Sequence, residues 1–241
     1  EVSGIEKQGE KFSILVRDRQ AIRATRLIIA TGGKAGLKFG STGDGYGFAK
    51  AFGHTLKQPL PGLVQILTDD RFSKDSKGVR AKGAVSLRRG NEIIAREKGE
   101  IQFTVDGVSG ICVFDLSRYL RENTAGLLLQ IDLFPDHSKE EVLNFLKDKR
   151  NNIPGRRAES LLKGIINDKL VPLYMQISGL QARKTMGLVD DLQLEQLAGL
   201  LKCREVGVKA TKGWVEAQVT LGGVNSSEIR EDNLESKLVP G

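Results

Sequence analysis

The chain has 241 residues, with 39% hydrophobic residues, 28 glycines and a formal charge of +7. A chain of this length and apolar content builds a sizeable core, which excludes wholesale disorder. Two cysteines and two histidines exclude a disulfide framework and a histidine-rich metal site, and no apolar run reaches the ~18 residues of a membrane helix.

Glu1 to Gly33 reads as a β-meander. Val2–Ile5 and Phe12–Val16 flank the turn Gln8-Gly9-Glu10, and a third short run ends at Ala24. Arg26-Leu27-Ile28-Ile29-Ala30 then reads as an apolar strand suited to burial on both faces, stopped by Thr31-Gly32-Gly33. Tyr46 to Phe52 reads as a short helix with Asp44 as N-cap and Gly53 as its stop. Pro59 and Pro61 break regular structure and mark a boundary.

Between Leu63 and Leu133, apolar bursts separated by glycine predict a small barrel or sandwich. The bursts are Gly83–Leu87, Glu92–Arg96, Ile101–Val105 and Ile111–Phe114. Ser138-Lys139-Glu140-Glu141 is a capping box opening a helix that Asn151–Gly155 ends. Helical segments are expected at 158–166, 173–178 and 192–201, so residues 138–202 read as a helical subdomain. Glu205–Ala210 and Trp214–Thr220, joined by Lys212-Gly213, read as a hairpin.

The basic excess gathers between Arg71 and Glu100, in Arg71, Lys74, Lys77, Arg80, Lys82, Arg88, Arg89, Arg96 and Lys98. Such a run is either a phosphate-binding face or a solvated strand surface. Phe72 is its only aromatic, which argues against a stacking platform for single strands. Cys112 reads as a small buried hydrophobe. Cys203 lies between Lys202 and Arg204, a setting that lowers a thiol pKa. His54 at a helix end, His137 at a helix entrance and Trp214 read as structural residues. Ser109-Gly110 lacks the acid–histidine pattern of a hydrolase nucleophile.

Two motifs carry chemistry. An apolar strand ending in Thr31-Gly32-Gly33 lets a ligand approach the backbone at a sheet edge. Ser41-Thr42-Gly43-Asp44-Gly45 follows at a helix start, where free N–H groups attract anions or polarised carbonyls.

Ala30-Thr31-Gly32-Gly33, Thr42–Tyr46, Gly53-His54 and Pro59–Val64 together resemble the BaiN-like flavoproteins, also described as the aminoacetone oxidase family of NAD(P)/FAD-dependent oxidoreductases. Phe103–Gly110, Ala217–Val224, Leu234–Lys237 and Pro240-Gly241 extend the resemblance over essentially the whole chain. It implies an α+β multidomain protein: a partial FAD/NAD(P)-binding Rossmann-like domain interrupted by an insertion of a small β-barrel and a helical bundle. The expected parts are flavin domain at 1–57, barrel at 58–137, helical subdomain at 138–204, hairpin back to the barrel at 205–220 and flavin domain again at 221–241. The family's opening G-x-G-x-x-G is not in this sequence, which therefore reads as an internal piece of a longer protein.

The resemblance implies FAD as cofactor, held by Thr31, Gly32, Gly33, Thr42, Gly43, Asp44, Gly45, Gly222 and Gly223, with NAD(P)H as electron donor. It implies a cytoplasmic oxidoreductase acting on a small organic molecule, with neither membrane nor nucleic acid as partner. It leaves the oligomeric state open and names no catalytic acid or base. Val105 and Ile111 stand where many members have His and Pro, and Asn233-Leu234 where they have Thr-Met, so a proton transfer by that histidine is not available here. Two alternatives stand beside it. A relative of fumarate reductases and aspartate oxidases would need a histidine after Thr42–Gly45 that Gln58–Ile66 lacks, and an RNA-binding module would use the basic cluster.

Overall fold

The computed structural model describes residues 1–69, 76–120 and 124–241, which form two compact units: Glu1–Gly62 with Gly213–Gly241, and Leu63–Lys212. Arg71, Phe72 and Lys74 of the basic cluster lie outside the described residues.

In the first unit, β1 (Val2–Gln8), β2 (Lys11–Val16) and β3 (Ile22–Ala24) form an antiparallel meander. Ile5 faces Ile14 and Ser13 faces Arg23 across it. The first turn needs the left-handed backbone of Gly9, φ 63°. Phe12 is buried and meets the ring of Phe52 edge-on at 6.0 Å. Helix α1 spans Asp44–Ala51, and β4 (Leu56–Gly62) pairs antiparallel with β11 (Val219–Val224).

Several expectations change here. Arg26–Ala30 is not a strand, and Ile28 is exposed. An apolar run becomes a strand only when a neighbour takes its backbone groups. The described residues offer this run one such bond, from the Leu27 N–H to the Gly241 carbonyl at 2.9 Å. All strand pairings of this unit are antiparallel, so the parallel sheet of a Rossmann-like domain is not seen among the described residues. Pro59 and Pro61 sit inside β4, in a two-stranded sheet where a strand has one partner only and a missing N–H is tolerated. Asp44 is the first helical residue of α1, and the N-cap is Gly43 at φ 81° without a side-chain bond. Gly53, φ 87°, does follow the helix as its stop.

In the second unit, six strands pair in a ring: β5 (Ile66–Thr68), β8 (Gly107–Ser109), β7 (Glu92–Phe103), β6 (Arg80–Arg89), β9 (Leu127–Asp132), β10 (Arg204–Thr211), and back to β5. Alternation turns Val85, Leu87, Ile101, Phe103, Leu129 and Ile131 inward, each fully buried. Two expected strands, Glu92–Arg96 and Ile101–Val105, are one long β7. Ile111–Phe114 is helical: α2 covers Ile111–Ser117 and buries Cys112, Val113 and Leu116. A short apolar run fits a buried helix as well as a buried strand, and here Gly110 at φ 105° turns the chain out of β8.

Helix α3 (Lys139–Asn152) opens with the expected capping box: the Glu141 N–H donates to Ser138 Oγ and the Ser138 N–H to the Glu141 carboxylate. Helices α4 (Val171–Ile177) and α5 (Asp191–Lys202) follow, whereas 158–166 gives only a 3-10 turn at Ala158–Leu161. Leu146, Leu161, Tyr174, Leu194 and Leu201 join the barrel residues in one continuous core. The hairpin of 205–220 does not form. β10 pairs with β5 and β9, β11 pairs with β4, and Trp214–Gln218 is turn and irregular chain. The hairpin reading failed because two apolar runs separated by Lys-Gly fit it equally well when each strand has its partner elsewhere.

Candidate functional site

The expected cofactor residues all lie in the first unit, on three segments that meet around Thr220 and Tyr46. Thr220 Oγ1 accepts the N–H groups of Lys34 and Ala35 at 2.8 and 2.9 Å, which ties the loop after Gly33 to β11. Thr31 Oγ1 accepts the Gly45 N–H at 3.1 Å, which ties the same loop to the start of α1. The Tyr46 ring lies against Gly43 and Gly223. Lys34 Nζ stands 5.9 Å from the centre of the Trp214 ring.

These contacts explain most of the glycines by packing. A Cβ on Gly33 would lie 2.4 Å from Thr220 Oγ1, one on Gly45 2.3 Å from Thr31 Oγ1, and one on Gly43 2.8 Å from Lys34 Cγ. On Gly222 it would lie 2.5 Å from the Gln58 carbonyl, at the bulge where β11 slips register against β4. A bound group needs backbone that the protein itself does not cover. By that test the expected residues divide. Gly43, Gly45 and Gly223 are buried and Gly33 is half-buried, while Thr31, Gly32, Thr42, Asp44 and Gly222 stay exposed. Only the exposed set offers backbone or side chain that a bound group could reach.

The helix start is not a bare anion site. Its Gly45 N–H is spent on Thr31, its Tyr46 N–H bonds to the Gly43 carbonyl, and the Asp44 carboxylate stands in the first turn. That carboxylate repels anions and accepts hydroxyl groups.

His54, read from sequence as structural, has partners 174 and 182 residues away. Its Nδ1 is 2.9 Å from Glu228 and its Nε2 2.8 Å from Ser236 Oγ. Glu228 also accepts the Thr55 N–H and hydroxyl, and these bonds, the hydroxyl first and His54 next, hold its carboxyl below the usual range. Ser236 Oγ accepts N–H bonds from Leu238 and Val239 at 3.1 and 2.9 Å. Both its lone pairs are therefore occupied, and its proton points to His54. A nucleophile needs a free lone pair, so this serine–histidine–glutamate chain ties the 225–239 segment to α1 rather than attacking a substrate. Gly53-His54 and Glu235-Ser236 were visible in sequence, but Glu228 was not.

The two thiols are free, and neither is activated. Burial pushes Cys112 up to about 11 and raises Cys203 as well, against the lowering expected from its basic neighbours. Cys203 instead feels Glu205 and accepts a bond from Gln130. Within the basic cluster Arg80 pairs with Glu100, Arg88 with Glu205, Arg96 with Asp132 and Lys98 with Asp136. Among the described residues no group of three or more His, Cys, Asp or Glu could hold a metal, and no helix is long and apolar enough to cross a membrane.

A ring-shaped barrel carrying a helical core defines the second unit as a barrel-and-helix domain. The family model described as the HI0933-like protein barrel and H2TH domain matches residues 60–219, and the chain belongs to that family. A 3-dehydro-bile acid delta(4,6)-reductase of Clostridium scindens is 31% identical over 98% of this chain and 58% of that relative. Ribosomal RNA dihydrouridine synthases of Haemophilus influenzae and Escherichia coli are each 27% identical over all of this chain, and it covers 59% and 58% of them. The chain thus spans less than two thirds of the length of these curated relatives. They place it in an enzyme family that includes a reductase.

Proposed function

We propose that this chain is part of a cytoplasmic FAD-dependent reductase that draws electrons from NAD(P)H and saturates a carbon–carbon double bond conjugated to a carbonyl. The observation that carries this reading is the meeting of Thr31–Gly33, Thr42–Gly45 and Gly222-Gly223 around Thr220 and Tyr46, with Thr31, Gly32, Thr42, Asp44 and Gly222 left open. The relatives' names support the reaction class, because a delta(4,6)-reductase and a dihydrouridine synthase each add hydrogen across such a bond. When bound, the flavin supplies the hydride chemistry. The chain's own contribution is to hold it. Exposed backbone at Thr31-Gly32 and Gly222 would hold it, and the Asp44 carboxylate would accept its hydroxyl groups. A small organic enone is the first substrate class. A uracil ring in RNA is the second, in keeping with the names of two of the relatives.

The test uses the full-length protein. It is expected to purify yellow and to gain about 2.7 kcal/mol of stability at a hundredfold excess of FAD over Kd. With NADPH it is expected to consume a steroid enone or a uridine-containing RNA. Absence of flavin absorbance together with an unchanged melting temperature on adding FAD refutes the reading.

A further inference from the structure

Tyr46 is the third residue of α1, just after the left-handed Gly43 at the N-cap. Side chains on a helix lean toward its N-terminus, so the ring reaches back over the loop that precedes α1. A Cβ on Gly43 would lie 3.2 Å from its Cδ2, one on Gly223 3.3 Å from its Cε1, and one on Gly33 3.0 Å from its hydroxyl oxygen. The ring is thus held among the three glycine-bearing segments of the candidate site, with the hydroxyl at the Gly33 end.

That hydroxyl is unspent. It has no hydrogen-bond partner among the described residues, yet it is open to solvent, unlike the sealed hydroxyl of Tyr174. The hydroxyl oxygens around it are committed: Thr220 Oγ1 accepts from Lys34 and Ala35, and Thr31 Oγ1 from Gly45. Lys34 shares the Gly43 contact with the Tyr46 ring, its Cγ 2.8 Å from the same Cβ position. Its ammonium lies over Trp214 and forms no ion pair among the described residues. Asp44 precedes Tyr46 by two positions, and such residues do not face each other on a helix. A free phenol, with an unpaired ammonium on a neighbouring side chain, suits an oxygen on which negative charge develops.

We infer that the Tyr46 hydroxyl donates to the carbonyl oxygen of the conjugated substrate and steadies the negative charge that this oxygen gains during reduction. The inference rests on the reductase reading above. A hydride, drawn ultimately from NAD(P)H, forms a C–H bond at the β carbon. The electron pair of the carbon–carbon double bond moves to join the α carbon to the carbonyl carbon, and the carbonyl pair moves onto oxygen. A proton from water then forms the second C–H bond, at the α carbon, and the carbonyl is restored. The oxygen is charged only in between, so a donor fixed beside it favours the transition state over the bound substrate. A phenol is more acidic than the aliphatic hydroxyls of Ser41 and Thr42 and is the stronger donor to such an oxygen. The arrangement serves an enone and a uracil ring alike, because both carry a carbonyl conjugated to the bond that is reduced.

The experiment compares Tyr46→Phe with the unaltered full-length protein. Phe keeps the ring between Gly43 and Gly223 and removes only the oxygen, so melting temperature, flavin content and flavin spectrum are expected to match. Bleaching of the flavin by NADPH in the absence of substrate is expected to keep its rate. Anaerobic reoxidation of the bleached protein by a steroid enone is expected to slow about a hundredfold. Calorimetry with 4-nitrophenolate, whose oxygen carries charge as the intermediate's does, is expected to show about tenfold weaker binding. An unchanged reoxidation rate or an unchanged phenolate affinity in Tyr46→Phe overturns the inference. So does slower bleaching by NADPH or a shifted flavin potential, which would put the hydroxyl on the flavin and not on the substrate. A full-length protein without flavin refutes the reductase reading itself, whereas any of the former results in a flavin-bearing protein refutes the role of Tyr46 alone.

Discussion

Thr220 is the residue on which the candidate site closes, and Thr220→Val tests that directly. The substitution keeps the shape of the side chain and removes its oxygen. Two half-buried N–H groups, those of Lys34 and Ala35, then lose an acceptor held at 2.8 and 2.9 Å. A buried donor left without a partner costs roughly 1–3 kcal/mol, and half-burial takes the lower end, so the pair costs about 2 kcal/mol. Trp214, the only tryptophan of the chain, lies in the same unit and reports its unfolding in urea. Hydrogen exchange supplies the local readout: the Lys34 and Ala35 amides are expected to lose protection in Thr220→Val and keep it in Thr220→Ser. Gly33→Ala drives a Cβ to 2.4 Å from the same oxygen and breaks the same two bonds. The double variant Gly33→Ala/Thr220→Val should therefore cost less than the sum of the single changes, by about 1 kcal/mol or more. Unchanged exchange at Lys34 and Ala35 in Thr220→Val, or strict additivity, refutes the reasoning.

Gly107→Ala places a Cβ 2.1 Å from the Ile66 carbonyl oxygen, on the backbone of the neighbouring strand, and is expected to lower stability by about 3 kcal/mol in thermal melts. Gly155→Ala, with nothing within 4 Å, should stay within about 0.5 kcal/mol of the unaltered protein. Glu228 is held below its ordinary value of 4.5, so its contribution to stability is present above that value and lost as pH falls through the depressed pKa. Glu228→Gln is accordingly expected to flatten the acid limb of the Trp214 unfolding profile, and an unaltered acid limb would speak against the Thr55 and His54 bonds as its cause.

What the sequence determined by itself was local. The meander of residues 2–24 follows from short apolar runs around Gly9, and α3 from the Ser138–Glu141 box, because turn and cap chemistry act within a few residues. The grouping of Thr31–Gly33 with Thr42–Gly45 was also legible, since a Thr-Gly-Gly loop and a helix start eight positions on are bound to lie close. Tertiary structure alone decided the rest. Ile111–Phe114 became a helix and Arg26–Ala30 did not become a strand, because an apolar run takes its form from the partners it finds. Burial, not the flanking charges, set the Cys203 thiol, and Arg88 and Arg96 of the basic cluster found acids on β10 and β9, far along the chain. His54 met Glu228 and Ser236 across more than 170 residues. Contacts of that separation are fixed only when the chain closes on itself, and no local pattern of charge or hydropathy encodes them.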